Sequence, residues 1–145
     1  MPLLNYTTSV PTNRTIGQVQ GLLVEAGARA IVAEYDEDGG VTGMSFMVEG
    51  PFGRQGFTLP VHSERVEAVL TREKVAPKYR TPEHSERVAW RILKDWIEAQ
   101  IALLQTEMVT LDQVMLPYMR TPEGGTVYDR YLETGQLALE AGEPA

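Results

Sequence analysis

His62 and His84 are the only histidines in this sequence, and each stands two residues before a glutamate in the same string, HSERV, at residues 62–66 and 84–88. An imidazole beside a carboxylate can move a proton or, with further ligands, hold a metal ion. Neither use finds its partners here. No HExxH spacing exists, there is no cysteine, and no GxSxG elbow presents a serine. The acidic residues are scattered and single out no pair for hydrolysis. The reading is therefore of a protein with no catalytic residues, no metal site and no cofactor. A small hydrolase or nucleotide-binding enzyme would rest on the two His–x–Glu pairs alone.

The stronger lead is cationic. Residues 72–94 hold Arg72, Lys74, Lys78, Arg80, Arg87, Arg91 and Lys94 against Glu73, Glu83 and Glu86, a local net charge of +4 in a chain of net charge −7. Cations that follow phosphates, with a ring such as Tyr79 to stack on a base, are the minimum for a single-stranded nucleic-acid groove. The acidic remainder repels a long polyanion, so such a groove has to be narrow and oriented. The alternative is internal: these cations neutralise Glu64, Glu67 and the acidic turns.

A long amphipathic helix must position the island. Thr81 is suited to cap it, Pro82 to open it and Glu83 to favour its first turn. Val88/Ala89, Ile92/Leu93, Trp96/Ile97, Ile101, Leu104 and Met108 then recur at helical spacing, which predicts a rod roughly 40 Å long. Arg87, Arg91, Lys94 and Glu98 form one line along another side of it. Trp90 and Trp96 on the same rod are candidate core or interface residues.

Ahead of the rod, Leu4–Val10 reads as an edge strand. A helix is expected over Thr15–Ala26, opened by a Thr15–Gln18 capping box and stopped by Gly27. Gly17 and Gly21 within it suggest close packing on a sheet. Ala30–Tyr35, Val41–Val48 and Arg54–Val61 read as an antiparallel meander joined by DEDGG and EGPFG turns. Asp36 and Asp38 faintly resemble a calcium loop, but the other ligands are misplaced. Ser63 is expected to cap a helix over Glu64–Arg72, and Glu73–Arg80 to form a basic linker. After the rod, Thr110 and Gln113 make a capping box, and Thr126–Glu133 is a last short helix carrying Val127, Tyr128, Tyr131 and Leu132. The acidic stretch 136–145 is expected to be loose.

The fold class is α+β: an antiparallel three- to four-stranded sheet packed against helices, with a long central helix and a helical C-terminal third. Residues 1–135 are expected to form one domain, its sheet part in 1–72 and its helical part in 81–135. No stretch approaches the ~18 apolar residues of a membrane span, and MPLLNYTTSV lacks the charge and apolar run of a secretory signal.

Tyr6–Thr8, Thr15-Ile16, Gly27-Ala28, the stretch VAWRILKDWIEAQ (88–100) and Leu116-Pro117-Tyr118 together resemble a family of small uncharacterised proteins from phage, prophage and other mobile-element gene sets. The resemblance implies a cytoplasmic setting in a bacterial host, and a role in handling DNA or binding host proteins. The first expectation is thus a non-enzymatic accessory protein that binds single-stranded nucleic acid through the island. The second is a protein-interaction module, either an inhibitor or adaptor of a host protein or a helix-mediated homo-oligomer. No membrane partner is expected.

Overall fold

The computed structural model describes residues 2–135. Among them, helix α1 (Thr12–Glu25) leads into a meander of β1 (Ala30–Tyr35), β2 (Val41–Gly50) and β3 (Gly53–Thr58), followed by α2 (Ser63–Arg72), the long α3 (Pro82–Gln105), α4 (Leu111–Met115) and α5 (Val127–Thr134). The class is α+β, with the sheet antiparallel in the order β1-β2-β3. The C-terminal stretch expected to be loose lies outside the described residues. No helix among the described residues is long and apolar enough to cross a membrane.

Alternation along β2 decides the sheet's inner face. Met44, Phe46 and Val48 are buried while their neighbours are not. Phe46 pairs in register with Phe57 of β3, and the rings stack with centroids 5.2 Å apart. Against this face pack Ile16, Val19 and Leu23 of α1 and Trp90, Leu93, Ile97 and Ile101 of α3, so one core joins the sheet to both helices. The Thr81 side chain accepts from the His84 backbone N–H, as the cap requires. α3 stops at Gln105, and Met108, placed on its stripe by spacing, is exposed. In the DEDGG turn Asp36 Oδ1 accepts from the N–H groups of Asp38 and Gly40, so this carboxylate is spent on the turn.

Three local expectations are corrected. Leu4–Val10 is not a strand; it is a pair of turns with Tyr6 N–H on the Leu3 carbonyl, Thr8 N–H on the Asn5 carbonyl and Asn5 at φ 65°. Ser63 is the first residue of α2 rather than its cap, a place taken by His62 without a side-chain bond. Thr15 and Gln18 do not cap α1, which begins three residues earlier after Pro11. Thr15 is fully buried instead.

Gly17 and Gly21 are also placed differently. Both are exposed, and a Cβ built on either meets nothing within 4 Å. They pack against no sheet and only loosen the helix. Gly17→Ala and Gly21→Ala should each stabilise the protein, by up to about 1 kcal/mol. Urea titration of the double variant checks this; an unchanged or lower midpoint would contradict the open placement.

Candidate interaction surfaces

The cationic island divides into an open part and a part turned inward. Arg87, Arg91 and Lys94 are half-buried on α3. Arg91 Nη1 reaches across to α1, donating to Gln18 Oε1 at 2.6 Å and Thr15 Oγ1 at 3.4 Å. Lys94 Nζ lies 3.1 Å from Glu98 and 3.9 Å from Asp95. The line read from the sequence is therefore not a free ridge: Arg91 is engaged by α1, Lys94 by acids of its own helix, and Arg87 by His84. Between Arg87 and the acidic β1–β2 turn, Glu86 is held above the usual carboxylate range, chiefly by burial and then by Asp36 and Glu83, against the pull of Arg87.

His84 explains Arg87. The imidazole is buried, with Arg87 Nη2 3.3 Å from Nδ1 and the Tyr6 carbonyl on Nε2. A guanidinium only donates, so Nδ1 must accept and Nε2 must carry the hydrogen given to Tyr6. The histidine thus clamps α3 to the N-terminal segment. Tyr6 also packs edge-on to Tyr79 at 5.6 Å, and Tyr79 lies 5.1 Å from the His84 ring. Asn5 Nδ2 donates to Asp95, and the Leu3 N–H to Glu73. The ring expected to stack on a base is thereby engaged within the molecule.

Arg80 is half-buried, its Nε without a partner among the described residues. Arg72, Lys74 and Lys78 are exposed and have no ion pair among the described residues, Lys78 lying over the Tyr79 ring at 5.0 Å. Three of the island's seven cations are thus exposed without an ion pair among the described residues, one of them resting on a ring. His62 is exposed, with Nδ1 3.5 Å from Glu64, and does not meet His84 in any cluster. No group of three or more His, Asp or Glu able to hold a metal ion occurs among the described residues.

The two tryptophans part company. Trp90 is 1% exposed inside the core, so it is not available to any interface. Trp96 is half-buried and meets Tyr118 edge-on at 5.7 Å. With Val61, Val66, Ile92 and Tyr118 it lines a cleft of about 380 Å³ between α2 and α3.

Sequence reasoning missed the surfaces that carry exposed apolar groups. α5 buries none of its residues, and Tyr128, Tyr131 and Leu132 are 50%, 44% and 59% exposed. They stand at i, i+3 and i+4, so they share one side of the helix. The helix is nevertheless well formed. Thr126 and Asp129 complete a capping box, Arg130 pairs with Glu123 and Glu133, and Gly135 ends it at φ 64°. Phe52, at the tip of the β2–β3 hairpin, is 99% exposed. A helix of eight residues is too short for periodicity to say which side a partner covers; its isolation between two glycine-bearing turns was the available signal.

Compared with protein-family models, curated proteins and solved structures, the chain matches none.

Proposed function

We propose that this protein is a non-enzymatic interaction module that docks a partner protein through α5. The observation that carries this is a capped helix whose Tyr128, Tyr131 and Leu132 all stand in solvent. Tyrosine and leucine at i, i+3 and i+4 are the anchors of a helix laid in an apolar groove, and aromatic anchors dominate interface energy. Asp129 and Glu133 flank them, and the chain's net charge is −7, so the fitting partner carries cations around its groove. The resemblance to phage and prophage proteins supplies context: an accessory protein acting on a host protein.

Photo-crosslinking from Tyr128 in the intact chain, mixed with host extract, should give a discrete adduct. Tyr128→Ala with Leu132→Ala should weaken capture of that protein by about thirtyfold or more, as loss of a ≥ 2 kcal/mol anchor implies. The thermal midpoint should hold, because neither residue is buried. Failure to form an adduct, or equal capture by the double variant, would overturn the assignment.

A second reading rests on Arg72, Lys74 and Lys78, which are exposed and have no ion pair among the described residues. They favour a short anionic strand over a long one. Binding of a labelled single strand at low salt that is lost when these three become alanine would move the assignment to nucleic acid.

A further inference from the structure

We propose that β1 is an assembly edge, along which a second copy of this chain pairs antiparallel about a two-fold axis near Val32. The two edges of the sheet are not alike. β3 is covered: Met119 bridges Phe57, the Arg120 N–H donates to the Gly56 carbonyl at 2.8 Å, and Gln55 Nε2 donates to the Arg120 carbonyl at 3.1 Å. β1 has β2 on one side and, among the described residues, no strand on the other. An uncovered edge offers a row of backbone donors and acceptors, and proteins that remain apart blunt it with lysine, proline or inward charges. The run Ala30–Ala33, AIVA, has none of these. Val32 and Tyr35 are 60% and 65% exposed.

Charge selects the occupant and its direction. Arg29 precedes the strand, while Glu34 and Asp36 stand at its far end. Neither Arg29 nor Glu34 has an ion pair among the described residues. A parallel copy sets Arg29 against Arg29 and Glu34 against Glu34, and like charges directly opposite are destabilising. An antiparallel copy centred on Val32 sets Arg29 opposite Tyr35 of the second copy, so the cationic start of each strand lies beside the acidic end, Glu34 to Asp36, of the other, and does so twice. Symmetry also requires that this contact close. A two-fold axis normal to the sheet keeps both helix layers on one side and opposes Val32 to Val32, leaving no free β1 edge for further addition. Residues 30, 32 and 34 lie along one open trough of the sheet's outer face with Ser45, Met47 and Arg120, so the pairing extends that face across both copies.

This inference uses residues separate from α5, so each can fail alone. Sedimentation velocity on the intact chain over a dilution series should show a species of twice 16.1 kDa that dissociates on dilution. Val32→Lys should give a monomer with unchanged circular dichroism. Arg29→Glu and Glu34→Arg should each raise the dimer dissociation constant several-fold, since each end of the seam then carries like charge. The two changes combined in one chain should restore the dimer. A wild-type monomer throughout, or a dimer indifferent to Val32→Lys, would overturn the proposal.

Discussion

Trp90→Ala should lower the stability of this protein by about 3–5 kcal/mol, a change as large as a buried aromatic truncation gives. The residue is 1% exposed and lies where α3 meets the rest of the core. Packed interiors relax only partly, so much of the indole's volume remains as a cavity whose walls lose their contacts. For a chain of this length the thermal midpoint should drop by about 6–20 °C. Trp96→Ala is the control. Trp96 is half-buried at the cleft against Tyr118, so water fills the space it leaves and the loss should be smaller. Urea unfolding of both variants checks this. Equal losses would mean that the cleft is as closed as the core, and that the two tryptophans have one role.

His84→Leu should cost about 2 kcal/mol and free the N-terminal segment. Leucine keeps an apolar body at the site but offers nothing to the Tyr6 carbonyl or to Arg87 Nη2. A buried polar group left unbonded costs about 1–3 kcal/mol; Arg87 keeps some access to water, which holds the total near the middle of that range. The local consequence is the more specific one. Residues 3–8 are tied down by the His84 bond, by Asn5 on Asp95, by the Leu3 N–H on Glu73 and by the Tyr6–Tyr79 contact. With the central tie removed, amide exchange at the Tyr6 and Thr8 N–H groups should accelerate well beyond the change in α3. Exchange rising evenly along the chain would mean that His84 supports the core as a whole and does not clamp this segment.

Several elements were legible because their causes are local. The alternation of Met44, Phe46 and Val48 forces one face of β2 inward whatever covers it. Thr81 followed by Pro82 opens α3, and the apolar stripe continues it. Thr110 with Gln113 bonds reciprocally, as its spacing implies. Thr15 with Gln18 has the same spacing and the same chemistry, yet both side-chain oxygens accept from Arg91 across the helix pair. Pro11 starts α1 a turn earlier, which places Thr15 inside the helix. Arg91, seventy-three positions from Gln18 and brought there by packing, then takes both oxygens.

The island divides in the same way. Periodicity placed Arg87, Arg91 and Lys94 on one line of α3, and that placement holds. What each cation meets was not readable there: Arg91 meets α1, and Arg87 meets the buried His84. Tyr79 stands near the linker cations in sequence, but the N-terminal turns, seventy-odd residues away, cover it through Tyr6.

By itself, the amino-acid order determined the α+β class, the meander, the long rod and the local excess of cations. Each of these follows from periods of two or 3.6 residues, from caps, or from composition, all of which act over a few neighbours. Only the tertiary structure decided which cations stay free, which tryptophan is covered, which sheet edge is closed and that α5 keeps its tyrosines in water. Those outcomes depend on surfaces meeting across long sequence separations, where burial and hydrogen bonding are set by the partner element and not by the residue's own neighbours.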